Sequence, residues 1–181
     1  TRYGTVTGVQ TCALPISENH TKLENEVISL GNLILKKKLQ LVYGGAKIGL
    51  MGLVANTILE GGGYVTGIIP KLLSKKEIIN KEVSDLIIVN NMHERKKKMY
   101  DLSDAFIILP GGIGTLEEFS EITTWKILGI EKKPIFLLNF NGFYDHLIQQ
   151  FDVMEKYNFL YSDILKEIIV INSISDLDSL L

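Results

Sequence analysis

Two stretches hold residues whose types and spacing can do chemistry. They are Ala105-Phe-Ile-Ile-Leu-Pro-Gly-Gly-Ile-Gly-Thr-Leu-Glu-Glu118 and Met92-His-Glu-Arg-Lys-Lys-Lys98. In the first, Gly111, Gly112 and Gly114 allow a turn whose backbone approaches a ligand closely. Thr115 has the residue type of an N-cap, and Glu118 follows three residues later, in the first turn of the helix this predicts. Strand end, glycine turn and helix N-terminus direct free N–H groups and the positive helix end at one spot, an anion site. A carboxylate beside such a turn points to chemistry near a phosphorylated ligand. The stretch is not the dinucleotide fingerprint, because Glu117 stands where the third glycine belongs. It is not a P-loop either, which ends in Lys-Ser or Lys-Thr.

In the second stretch, Arg95 and Lys96 open a predicted helix. Either can grip a phosphate or orient a sugar, Arg95 with a fixed fork of donors. Lys97 and Lys98 read better as a solvated basic face. For Arg95 the competing reading is an ion pair with Glu94 or Asp101, and spacing alone leaves both open.

The elements that must position these groups alternate along the chain. Leu23, Val27, Leu30 and Ile34 share a helical face. Leu39 to Tyr43 reads as a strand, and Gly44 to Gly49 as a second glycine turn before a helix through about Glu60, stopped by Gly61 to Gly63. Tyr64 to Ile69 is a strand closed by Pro70; Lys71 to Ser84 is polar and irregular. Leu86 to Val89 is a strand, Asn91 caps the basic helix to Leu102, and Phe106 to Leu109 is the strand before the glycine turn. A helix to about Leu128, a strand at Pro134 to Leu138, a helix at Gly142 to Tyr157, a strand at Ile168 to Ile171 and a helix at Ser173 to Leu181 complete the pattern. This is an α/β chain: a doubly wound, mostly parallel, Rossmann-like sheet with helices on both faces. Ligands in such folds bind at the carboxyl ends of the strands, where the strand order reverses.

Residues 1–17 do not match the rest of the chain. They are Thr- and Gly-rich and almost uncharged, against a Lys- and Ile-rich remainder. Val6, Val9, Ala13 and Leu14 are interrupted by Thr7, Gly8, Gln10 and Thr11, which suits a buried central strand poorly. The expectation is a non-native segment at 1–17, with Thr1 to about Val9 irregular or outside the sheet, and one domain at 18–181. A native, irregular first strand is the alternative, since Thr5 to Val9 has some β-propensity.

Composition narrows the function class. The chain has 181 residues, 46% hydrophobic and 22% charged, with net charge -2, which favours neither nucleic-acid backbone binding nor a membrane partner. One cysteine, Cys12, excludes an internal disulfide and a thiolate metal cage. His20, His93 and His146 are scattered singly, and no metal site is expected. No apolar run approaches the roughly 20 residues of a membrane span, and no signal peptide is legible, so a cytoplasmic location is expected.

Val42-Tyr-Gly-Gly-Ala-Lys-Ile-Gly-Leu-Met-Gly52, Met92-His-Glu-Arg-Lys96 and Pro110-Gly-Gly-Ile-Gly-Thr-Leu-Glu-Glu118 occur in this order and at these distances. Together they resemble the LOG family, the cytokinin riboside 5'-monophosphate phosphoribohydrolases long labelled lysine decarboxylases. The likeness runs from Glu18 to Leu181. It implies an N-glycosidase that hydrolyses a purine nucleoside 5'-monophosphate, with N6-modified or plain adenine as base, to free base and ribose 5-phosphate. It further implies a role in cytokinin biosynthesis, no cofactor, and a homodimer. By the same likeness Arg95 and Glu118 are the catalytic pair. Gly112, Ile113, Gly114, Thr115, Leu116 and Glu117 would hold the substrate with Lys96, Glu77 and Thr124. The chemistry is consistent, since breaking an N-glycosidic bond builds positive charge on the sugar, which a carboxylate stabilises. The family's opening strand ends in a Gly-Ser-Ser loop of the kind CGSS; residues 1–17 have no match to it.

Two other readings compete. A non-catalytic nucleotide-binding module of the same fold would keep the glycine loop without needing both Arg95 and Glu118. Amino-acid decarboxylation needs a Schiff-base lysine for pyridoxal phosphate, and no such site is legible.

Overall fold

The computed structural model describes residues 4–8, 18–73, 79–130, 132–160 and 164–181. Its described strands are β1 (Thr5–Gly8), β2 (Gln40–Tyr43), β3 (Val65–Pro70), β4 (Asp85–Val89), β5 (Ala105–Ile108), β6 (Ile135–Leu138) and β7 (Ile169–Ile171). Its helices are α1 (Glu18–Lys36), α2 (Gly49–Glu60), α3 (Met92–Leu102), α4 (Ile113–Ile127), α5 (Asp145–Lys156), α6 (Ile164–Glu167) and α7 (Ile174–Asp178), with a 3₁₀ turn at Phe140–Gly142. The strands form one sheet in the order β4-β3-β2-β1-β5-β6-β7, and every pairing is parallel. This is the expected doubly wound architecture. The order reverses between β1 and β5, which places the topological crevice beside the turn after β5.

Both sheet faces are covered, as the continuous apolar strands require. Alternation along β5 shows the division: Ile107 packs with α1, α2 and α7 through Val27, Leu30, Val54, Ile58 and Leu177, whereas Phe106 and Ile108 pack with Phe119, Ile122 and Phe151 of α4 and α5. Each such buried Phe or Ile contributes about 1.5–3 kcal/mol relative to exposure. The α3 helix carries the chain back from edge strand β4 to β5, packing on β1, β2 and β3 with Met99 against Val42 and Ile68. Among the described residues no helix is long and apolar enough to cross a membrane.

Several expectations need correction. Thr5–Gly8 does not lie outside the sheet: it is the central strand, with Val6 opposite both Leu41 and Ala105. Pairing is made by the backbone, so interruptions in the apolar run do not bar the strand from the sheet centre, where Val6 is 2% exposed. Thr115 is not the N-cap of α4. Gly112 holds that position, with no side-chain cap, while Thr115 is fully buried inside the helix. Residues 140–144 are a 3₁₀ turn and a tight loop, so α5 starts later than its apolar pattern implied. The short α6 was not anticipated, and α7 ends at Asp178. The Asn91 cap is as read: its side chain accepts the Glu94 N–H.

Candidate active site

Arg95 lies in the first turn of α3, just beyond its Asn91 cap, and Glu118 in the second turn of α4. The two helices leave the carboxyl edge of the sheet on the same face, and their side chains meet. Arg95 Nη1 donates to Glu118 Oε1 at 2.9 Å, with both side chains buried. Arg95 Nε donates to the Ile68 carbonyl of β3 at 3.3 Å. Arg95 is in an ion pair, but with Glu118 and with neither Glu94 nor Asp101, the two partners its spacing offered. Glu94 instead accepts from the Asn90 backbone and side chain, which holds its carboxyl below the usual range. Asp101 faces Lys97 one turn away. Arg95 Nη2 is buried and has no acceptor among the described residues. Buried donors are nearly always paired, so this nitrogen suits an acceptor brought in by a ligand.

The turn between β5 and α4 supplies the anion-binding geometry. Pro110 follows the strand, Gly112 is the extended N-cap, and no side chain caps the helix and no acid lies in its first turn. The first N–H groups and the positive helix end are thus left for an external anion. A Cβ built on Gly112 or Gly114 would meet nothing within 4 Å, and neither residue has a positive φ. The fold does not require glycine at either position, and both leave open space at the start of α4. Gly52 differs, since a Cβ there would collide with the Lys47 carbonyl, so the second glycine turn owes that residue to packing. Ile113 stands 85% exposed at the tip of the first turn.

Lys96 is drawn into an acidic pair. Its ammonium lies 2.6 Å from Glu117 and 2.8 Å from Glu121. Partial burial opposes its charge, but the two carboxylates outweigh that and hold its pKa above the ordinary lysine value. A Schiff-base lysine needs the opposite shift, so Lys96 does not fit pyridoxal phosphate. Beside the Arg95–Glu118 pair is a mainly apolar cleft lined by Met99, Tyr100, Phe106, Ile122 and Trp125.

The structure therefore brings together Arg95, Glu118, Lys96, Glu117 and the 112–116 turn at one edge. Leu116 is half-buried at the base of the helix, against the apolar cluster of that face. Thr124 does not join them within the chain. It is exposed, donates to the Ser120 carbonyl, and lies about 240° around α4 from Glu118. Glu77 lies outside the described residues. The sequence reading missed Glu121, which its four-residue spacing from Glu117 signals. It also missed Tyr144, whose hydroxyl donates to the Leu109 carbonyl at 2.7 Å; no local pattern announces that contact.

Comparison with known proteins gives consistent relatives. The family model described as "Possible lysine decarboxylase" matches residues 51–180. The cytokinin riboside 5'-monophosphate phosphoribohydrolase LOG3 of Arabidopsis thaliana is 46% identical over 147 residues, covering 81% of this chain and 68% of that protein. The enzyme LOG of Oryza sativa subsp. japonica is 44% identical over 146 residues, covering 81% and 60%. The chain thus spans between about three fifths and two thirds of the length of these two relatives. Among solved structures, the molybdenum cofactor binding protein of Rippkaea orientalis superposes with a TM-score of 0.69 at 22% identity, covering 99% of this chain and 95% of that one. The Moco carrier protein of Chlamydomonas reinhardtii gives 0.70 at 17% identity, covering 99% and 95%. These two share the fold.

Proposed function

Because this chain belongs to the LOG family of cytokinin riboside 5'-monophosphate phosphoribohydrolases, we propose that it hydrolyses the N-glycosidic bond of a purine nucleoside 5'-monophosphate. Water adds to the anomeric carbon, the base leaves with a proton, and ribose 5-phosphate is the second product. The observation that carries this reading is the buried Arg95–Glu118 pair beside an uncapped helix N-terminus.

The geometry supports the following division of labour. Backbone N–H groups of Gly112, Ile113 and Gly114 take the phosphate at the start of α4, where the helix dipole favours an anion; the Thr115 N–H itself donates to the Gly112 carbonyl. Leu116 and Glu117 continue that turn. The phosphate is remote from the breaking bond, so its binding energy serves to orient the sugar. As the bond to the base lengthens, positive charge grows on the ribose, and Glu118 stabilises it or takes a proton from the attacking water. Arg95 fixes the Glu118 carboxylate with Nη1 and offers Nη2 to a substrate oxygen. Lys96, buttressed by Glu117 and Glu121, and Glu77 complete the substrate-binding set. The reading takes the adenine base, N6-modified or plain, as part of cytokinin activation, in the cytoplasm and without a cofactor.

The proposal includes a homodimer. Thr124 cannot face Glu118 of its own chain, and Leu128 and Ile130, 60% and 66% exposed, follow it at the end of α4. Light scattering should give twice the chain mass.

The test is substrate discrimination. AMP or its N6-isopentenyl form should turn over far faster than the matching nucleoside, whose missing phosphate leaves the α4 site empty. Equal rates for nucleotide and nucleoside would overturn the reading.

A further inference from the structure

The turn that presents the anion site needs an anchor of its own. The β5–β6 ladder ends at Ile108 opposite Leu137, and the described β1–β5 pairing runs to Gly8 opposite Ile107. Leu109, the next residue, is fully buried, so its carbonyl requires a partner that the described ladders do not supply. Pro110 then has no N–H with which to tie the turn back. The partner is the Tyr144 hydroxyl, 2.7 Å away and buried. Burial pushes this hydroxyl well above the ordinary tyrosine value, so it remains a donor.

Tyr144 is itself held on a short rigid path. Its backbone N–H donates to Asn139 Oδ1 at 2.7 Å, and Asn139 Nδ2 donates to Asp145 at 2.7 Å. The Asn139 N–H donates to the Ile171 carbonyl of β7. Positive φ at Asn141 and Gly142 folds the chain back between them, and Phe143 packs edge-on against the Tyr144 ring at 4.8 Å. A chain of hydrogen bonds thus runs from β7 through Asn139 and Tyr144 to the residue that enters the glycine turn. A phenylalanine would fill the same volume and sever the last link.

Resting on the enzymatic reading above, we propose that Tyr144 is a positioning residue that fixes the Pro110–Gly114 turn for the substrate phosphate. It touches neither substrate nor the reacting atoms. Its loss should therefore appear in binding of the phosphate-bearing ligand and not in the chemical step.

The experiment compares wild type, Tyr144→Phe and Asn139→Ala. In Tyr144→Phe, KM for the nucleoside 5'-monophosphate should rise about tenfold with kcat within about threefold of wild type. Ribose 5-phosphate affinity, read by calorimetry, should fall in parallel, while the slow turnover of the nucleoside should not change. Asn139→Ala keeps the hydroxyl but frees its carrier, and should shift KM in the same direction. The calorimetric arm separates two failures. Absent turnover in wild type with intact ribose 5-phosphate binding defeats the enzymatic reading alone. Unchanged KM and unchanged ribose 5-phosphate affinity in a folded Tyr144→Phe, or a fall in kcat at constant KM, overturns the positioning role. So does loss of the fold in both variants, which would make the contact purely architectural.

Discussion

The Arg95 guanidinium and the Glu118 carboxylate lie 2.9 Å apart, with Arg95 0% and Glu118 7% exposed. Because both are buried, substituting either acts on the fold as well as on the site. Arg95→Ala removes the buried cation that faces the Glu118 carboxylate and should destabilise by about 3–5 kcal/mol. Glu118→Gln keeps an oxygen for Arg95 and should destabilise less. Both should lower kcat by at least about 10²–10³-fold. Thermal melts together with rates, taken where Arg95→Ala is still folded, separate the two effects. Exposed Lys98→Ala should match wild type in both. Near-normal turnover in either site variant would favour a non-catalytic nucleotide-binding module.

Gly112→Ala and Gly114→Ala should dissociate stability from function. The new Cβ meets no protein atom, so melting temperature should hold or rise slightly, by the equivalent of about 0.4–1 kcal/mol. Affinity for ribose 5-phosphate should nonetheless fall, because the methyl group occupies the space a phosphate enters. Gly52→Ala is the converse, destabilising through the Lys47 carbonyl. A drop in stability at Gly112 or Gly114 with unchanged ribose 5-phosphate affinity would assign both glycines to the fold.

Features decided locally were legible in the sequence. The Asn91 cap, the strand ends at Pro70 and Pro110, and the Gly61 stop follow from the dihedral and donor properties of single residues. The Arg95 partner does not. Glu118 is 23 residues away, and their meeting depends on α3 crossing three strands before β5 begins. Thr115 had the right residue type for a cap, but the N-cap of α4 lies three residues earlier, at Gly112. The central strand was misjudged because the interrupted apolar run was weighed over backbone pairing, which joins Thr5–Gly8 to neighbours on both sides. Tyr144 lay beyond reach because its partner is the Leu109 carbonyl, 35 residues away in the chain.

The origin of residues 1–17 remains a proposal, now separate from sheet position. Thr5–Gly8 pairs on both sides, so deleting it should unfold the protein. Replacing 1–17 with an apolar strand and a Gly-Ser-Ser loop should raise both melting temperature and turnover. If neither rises, the stretch is a working native part.

Acid should loosen the packing of α7 on α1. Asp176 accepts the Asn172 and Ser173 N–H groups, which lowers its pKa from 3.8. Asp178 is lowered by hydrogen bonds from Lys36 and Lys37. Because both folded values lie below the unfolded ones, their contribution is full above about pH 4 and is lost as pH falls through the folded values. The melting temperature should therefore decline below about pH 4, and Asp176→Asn should flatten part of that decline while lowering the melting temperature at pH 7. An identical acid profile in the variant would contradict this assignment.

The most direct test is chromatographic identification of products after incubating the protein with AMP and with N6-isopentenyl-AMP, beside Glu118→Gln. The account predicts free base and ribose 5-phosphate in equal amounts from at least one of the two nucleotides, and neither product above background from the variant. Intact nucleotide in every wild-type reaction, or equal base release by wild type and Glu118→Gln, would contradict it.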